Sequence, residues 1–376
     1  MELMLPAEPA RARSLTGTLP LLSRSVDGSA GPTDLPAARA AIVVLIDGLG
    51  ASALAEVPGH ARFLAAHTGK RDIAITTFPT TTATALTSLL TATDAGAHGV
   101  IGYSTHVPGS PSGSVVNQLN GWSRDQGGSL DPETWQRSAP WSAAHDLTVV
   151  TKPEYAASGF TRATSAGAEI VTGDSIRERL DRAAERAESG SVIYVYVPEL
   201  DQAGHRNGWR SDRWLAVLEQ IDAELRAFAG RLPADVGVVV TADHGMVDVP
   251  HERQVLFGDG SLTDGVSTVA GEPRLLQLYT ERGAAERVRD AWQRSEGARA
   301  WVMTRDDAIA TGLFGLTDPD VAPRIGDVLV AARAEVAYYD ERVADTSPRG
   351  MIGQHGSLTS AERIVPFLRV GAFARR

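Results

Sequence analysis

Cysteine is absent from this 376-residue chain. That removes disulfides, thiolate metal ligands and cysteine nucleophiles together, and it leaves the redox compartment open. Lysine is nearly absent: Lys70 and Lys152 stand alone, and arginine supplies the rest of the positive charge. There is no cationic surplus either, since the net charge is -10 and the pI is near 5.4. Binding to duplex nucleic acid through its phosphates is therefore disfavoured. No apolar run approaches the length of a membrane span. Residues 1–31, with Pro6, Pro9, Pro20 and several arginines, lack the apolar stretch of a secretion signal. The expectation is a soluble, cytoplasmic protein with no membrane partner; the oligomeric state is open.

What is present is ordinary in bulk and specific in detail. The apolar fraction of 43% and charged fraction of 22% suit a globular protein, long enough for one large domain with insertions or for two. Residues 1–38 show no periodicity and read as an irregular leader packed on the core. From Ala41 the chain alternates apolar runs, loops and amphipathic runs, the pattern of parallel strands covered by helices on both faces. Strands are predicted at 41–46, 191–197 and 236–241, with others at 72–76, 147–151 and 167–171. Helices are predicted at about 51–66, 80–92, 174–188 and 211–230. The core is thus expected over 39–250 and 351–376. Residues 102–145, rich in Gly, Ser, Pro and Trp, are too long for a bland connection and read as a lid or substrate wall. Residues 251–350 read as a small inserted α+β lobe, with strands at 274–280, 300–304 and 327–332 and a helix near 283–295.

Four segments supply metal-ligand side chains, three of them at or just beyond the ends of predicted strands. They are Asp47-Gly48, Asp201-Gln-Ala-Gly-His205, Asp243-His244-Gly245 and Gly353-Gln-His355-Gly356. Together they hold three aspartates and three histidines, a set that suits a pair of divalent metals such as zinc and also accepts manganese or iron. Singly, each has a plainer reading. Asp47 serves equally well as the cap of a helix; Asp201 and His205 as a surface pair; His355 as a mobile surface histidine. Asp243-His244 is the most specific, because a polar dipeptide just after a central strand needs metals or partners to offset its desolvation. A nucleophile is also on offer. Thr76-Thr77-Phe-Pro-Thr80-Thr81-Thr82 runs from a strand end into a helix, where free backbone N–H groups and the helix dipole favour an anion. Most of these threonines read as caps and packing residues.

With these segments assembled, the chain resembles the alkaline phosphatase superfamily, and within it the type I phosphodiesterase/nucleotide pyrophosphatase branch. Asp-Gly, Thr-Phe-Pro, Asp-x-x-x-His, Asp-His-Gly and Gly-x-His-Gly occur in the family's order over residues 41–356. The resemblance implies a doubly wound, mostly parallel α/β core and two zinc ions over a threonine nucleophile. It places Asp201, His205 and His355 on one metal, and Asp47, Asp243, His244 and the Thr77 oxygen on the other. Thr77 is taken as nucleophile because the family's threonine directly precedes the Phe-Pro pair. Where the family carries an asparagine near the phosphoryl group, this chain has Tyr103; Asn117 and Asn120 are nearby substitutes, and Trp122 is a further candidate for the substrate wall. The implied substrate is a small phosphate ester or nucleotide. Alternatives are a phosphomonoesterase or phosphonate hydrolase on the same site, a mutase on the same fold, a metal-stabilised binding protein without turnover, and an interaction protein using 102–145.

Overall fold

A computed structural model describes residues 5–10, 12–31, 34–109, 114–123 and 129–375. At its centre is an eight-stranded sheet. Its strand order is Arg13–Ser14, Ile73–Ile75, Ile364–Gly371, Val236–Thr241, Ala40–Ile46, Val192–Val197, Thr148–Thr151 and Glu169–Thr172. The pairings are parallel except those of Ile364–Gly371, which runs antiparallel to both neighbours. The three middle strands, Val236–Thr241, Ala40–Ile46 and Val192–Val197, are buried almost throughout. That is why their sequences are continuous Val, Ile and Leu rather than alternating. The parallel register brings Asp47, Pro198 and Asp243 to the same edge, since Leu45 lies opposite both Tyr196 and Thr241.

Two expectations need correction. The leader is not irregular: Arg13–Ser14 adds an edge strand, and Thr18–Asp27 is a helix that buries Leu19 and Leu22 on the main core. Pro20 masks this helix in the sequence, yet it falls in the first turn, where no N–H is lost. The helix expected over 51–66 is two short helices, Ala51–Glu56 and Arg62–Ala66. Pro58-Gly59 breaks it between them.

Residues 251–350 contain a separate antiparallel sheet in the order Val266–Glu272, Leu275–Thr280, Val328–Ala332, Ala300–Thr304. Its strands are apolar on both faces for a reason visible in the packing. Val328, Val330 and Ala332 join a cluster with Val288 and Trp292 of helix Ala285–Glu296. Leu329 and Ala331 point the other way, onto Phe78, Ile101 and Leu358 of the main body. The lobe is therefore fused to the core through a shared apolar layer. Of the stretch 102–145, residues 110–113 and 124–128 lie outside the described residues. The rest forms a small hairpin, Ser104–His106 with Val115–Asn117, and places Tyr103 and Leu119 beside the ligand turns. No helix among the described residues is long and apolar enough to cross a membrane.

Candidate active site

Each ligand segment is delivered by a distinct local device. Asp47 leaves the Ala40–Ile46 strand and is followed by Gly48 at φ +77°, where an added Cβ would lie 3.1 Å from the Asp201 backbone and carboxylate. Only glycine combines that conformation with that approach. Asp201 and His205 sit one turn apart on helix Glu199–Asn207, so both side chains share a face. Asp243 and His244 follow Val236–Thr241, and Gly245 lets the chain pass where a Cβ would meet the Ala361 carbonyl at 2.0 Å. His355 follows the short strand Gly353–Gln354.

The structure brings all six side chains into one cluster. His244 Nε2 lies 3.3 Å from Asp47 Oδ1 and 3.4 Å from Asp243 Oδ2. His205 Nε2 lies 3.3 Å from Asp201 Oδ2 and 3.2 Å from His355 Nε2. The His244 and His355 rings stack at 3.6 Å. Ligand atoms of Asp47, Asp243 and His244 fall within 4.8 Å of one another, as do those of Asp201, His244 and His355. His244 thus stands between the two groups.

Protonation follows from the outer contacts. His205 Nδ1 faces the Gly353 carbonyl at 2.8 Å, His244 Nδ1 the Gly245 carbonyl at 3.1 Å, and His355 Nδ1 the Thr80 carbonyl at 2.9 Å. A carbonyl can only accept, so each Nδ1 carries the proton and each Nε2 turns a lone pair inward. The carboxylates are equally committed. Asp47 Oδ1, Asp201 Oδ1 and Asp243 Oδ2 are buried with no hydrogen-bond partner. Burial, aided by the other carboxylates, pushes Asp47 well above the usual carboxylate range, and burial also raises Asp243. Burial and the neighbouring His244 and His205 push His355 well below the ordinary imidazole value. Three lone pairs and three orphaned carboxylate oxygens converging on one point are a donor set for divalent cations. The residues present fit the metals that the fold implies.

The structure does not bring Thr77 into this cluster. Its hydroxyl is buried without a partner, but it lines a different cavity, with Arg13, Thr16 and Asp94. The hydroxyl beside the ligands is that of Thr82, 3.2 Å from His244 Nε2, at the first position of helix Thr82–Thr91. Thr77 directly precedes the Phe-Pro pair, whereas Thr82 opens the helix. Tyr103 lines the ligand cavity and is partly exposed. Asn117 does not reach it; its side-chain oxygen accepts from the N–H groups of Leu119 and Asn120 in a turn. Asn120 lines a neighbouring cavity. Trp122 is fully buried, its indole N–H donating to the Gln118 carbonyl.

The ligand cavity, about 280 Å³, also has walls that no motif announced: Tyr155, Tyr196, Gln202, Gln354 and Glu272. The Tyr196 hydroxyl donates to Asp47 Oδ2. Glu272 comes from the inserted lobe, and burial pushes its carboxyl up to about 8. A second lobe residue reaches further. Arg274, fully buried, makes a two-pronged pair with Glu362 at 2.7 and 2.9 Å. Glu362 in turn accepts from the Ser357 N–H with its carboxylate and from the Gly245 N–H with its backbone carbonyl. One residue thereby holds both the Asp243-His244 turn and the His355 turn.

This mostly parallel sheet, with a cluster of potential metal ligands at one strand edge, belongs to a hydrolase of phosphoester bonds. Within that class, residues 41–358 match the family of type I phosphodiesterases and nucleotide pyrophosphatases, and the chain belongs to it. Among solved structures it is similar to murine ectonucleotide pyrophosphatase/phosphodiesterase 5, at 18% identity and a TM-score of 0.67, covering 88% of both chains. The human counterpart matches at 17% identity and 0.64, covering 90% of both. Phosphonoacetate hydrolase from Sinorhizobium meliloti, in complex with phosphonoformate, matches at 17% and 0.65, covering 89% of this chain and 91% of that one. No curated protein sequence matches the chain.

Proposed function

We propose that this protein hydrolyses small phosphodiesters with Thr82 as nucleophile at a two-metal centre, with zinc as the metal. The observation that carries this is the convergence of orphaned carboxylate oxygens and inward Nε2 lone pairs beside the Thr82 hydroxyl. Asp47, Asp243 and His244 would hold one ion, and Asp201, His205 and His355 the other. Bound there, the ions would supply Lewis-acid chemistry, favouring negative charge on a nearby hydroxyl and on the departing oxygen. The chain's own part begins with Thr82, whose oxygen lies at the N-terminus of a ten-residue helix, where backbone N–H groups and the dipole favour an alkoxide. The Thr82 oxygen forms a bond to phosphorus while the bond to the ester oxygen breaks. Water then releases the phosphoryl group from Thr82 by the reverse displacement.

Diesters are favoured over monoesters and over carboxylated phosphonates by charge. Among the described residues no Arg or Lys lines the ligand cavity, so a second negative charge on the substrate meets no fixed cation in those walls. The murine neighbour's complex with AMP is compatible with a phosphoryl group at this site and leaves the remainder of the substrate open. The test is hydrolysis of an aryl phosphodiester after zinc reconstitution. Thr82→Ala is expected to lower kcat by about 10³-fold or more while metal content is kept, and Thr77→Ala to stay within about threefold. Full turnover by Thr82→Ala would remove the nucleophile assignment.

A further inference from the structure

A second cavity of about 300 Å³ adjoins the ligand cavity, and Leu119, Tyr155 and Tyr196 line both. Its other walls include Leu86, Leu90 and Phe160. Leu86 and Leu90 lie four and eight residues beyond Thr82 on the same helix, so one helical face carries the hydroxyl and then an apolar wall. Among the described residues no Asp, Glu, Lys, Arg or His lines this cavity. Its hydroxyl-bearing residues are largely satisfied within the protein: Thr161 donates to the Tyr155 carbonyl, Thr164 to the Phe160 carbonyl, and Ser158 accepts from the Thr161 N–H. One exception is the Tyr194 hydroxyl, buried and without a partner.

An unoccupied phenol in an uncharged, largely apolar chamber asks for a ligand with much apolar surface and one hydrogen-bond acceptor. A nucleobase would bring several polar edges, and beyond the hydroxyls already engaged the described walls offer them chiefly the Asn120 amide and the Tyr194 hydroxyl. We propose that this cavity receives an apolar ester arm attached to phosphorus, which makes the substrate class a phosphodiester with one alkyl or aryl arm rather than a nucleotide. This rests on the phosphodiesterase reading above and adds the identity of the arm.

The test measures binding first, so that it does not depend on turnover. Zinc-loaded protein is titrated calorimetrically with methyl-, butyl- and octylphosphonate and with AMP, and kcat/KM is measured for the p-nitrophenyl esters of the three phosphonates. Affinity and kcat/KM are expected to rise about threefold to fourfold per buried methylene, with octylphosphonate binding more tightly than AMP. Leu90→Trp, which fills the cavity, should flatten the series, and Tyr194→Phe, a milder change, should lower selectivity for arms bearing an acceptor. Bound and hydrolysed phosphonates with no dependence on chain length, or tighter binding of AMP, would overturn the arm assignment alone. If no phosphonate binds and no ester is cleaved, the phosphodiesterase reading fails and this one with it.

Discussion

Two sets of buried charge lie close together in this molecule and are treated in opposite ways. At the lobe junction, Arg274 and Glu362 are fully buried, and every strong donor and acceptor between them is used: two contacts to each other, others to the Ala334, Val336 and Ser357 backbone. At the ligand turns, Asp47, Asp201 and Asp243 each keep a buried oxygen without a partner. Histidines show the same contrast. His98 is buried, accepts from the Val100 N–H with Nδ1 and meets Ser88 Oγ with Nε2, so both nitrogens are used. His205, His244 and His355 spend only Nδ1 on backbone carbonyls and hold Nε2 free for the cluster. Structural polarity is closed within the chain, and functional polarity is left open toward a guest.

The closed set can be broken from one side. Arg274→Met strands Glu362 in the interior and is expected to cost about 3–5 kcal/mol of stability. Arg274→Met with Glu362→Met should recover much of that loss in stability, since a buried pair is often replaceable by apolar packing. Metal affinity should not recover in the double variant, because the Ser357 N–H that fixes the His355 turn loses its acceptor. Chemical denaturation and zinc titration separate the two effects; a double variant with normal zinc affinity would show that the clamp positions nothing.

The open set responds to its guest instead. If zinc is bound there as proposed, its removal with a chelator, from a starting free concentration of about 100 to 1,000 times Kd, should lower stability by about 2.7–4.1 kcal/mol. The loss should be uneven. Amides around 243–246 and 355–357 should exchange faster, while those of Val328–Ala332, in the middle of the lobe sheet, should change little. Uniform loss of protection across both regions would erase the distinction between them.

This contrast also explains what the sequence made legible. The ligand segments could be read because strong polarity at strand ends is conspicuous, and the Asp47, Asp201, His205, Asp243, His244 and His355 side chains do meet. The central strands could be read because burial on both faces leaves unbroken apolar runs. The short motif points to Thr77, whereas the path of the chain over 77–81 brings the Thr82 hydroxyl to His244. Trp122 and Asn117 were conspicuous residues in a loop of unusual composition, yet one packs in the core and the other closes a turn. Glu272, Arg274 and Glu362 carried no local signal. Their roles depend on how the lobe docks, which links residues 88 apart in sequence.

The smallest expected effect concerns the pH response of the metal-free protein. A carboxyl raised in the folded state keeps a proton that the unfolded chain has released, so stability falls as pH rises between the two pKa values. For Glu272 that window runs from the ordinary value of 4.5 to about 8, and Asp47 acts in the same direction. Depressed histidines oppose this: His355, and His98 at about 3, are neutral when folded and protonated when unfolded, so they add stability as pH rises, but only up to about 6.5. Above 6.5 the carboxyls act unopposed. Between pH 6.5 and 8 Glu272 alone should therefore cost the metal-free protein roughly 1–2 kcal/mol, at up to about 1.4 kcal/mol per pH unit for one proton. Thermal melts in chelator across that range measure it. Glu272→Gln should flatten the slope, and Glu362→Met, which removes a like charge that helps to raise Glu272, should narrow the window. A Tm that rises over this range would mean that the buried carboxyls find partners other than metals.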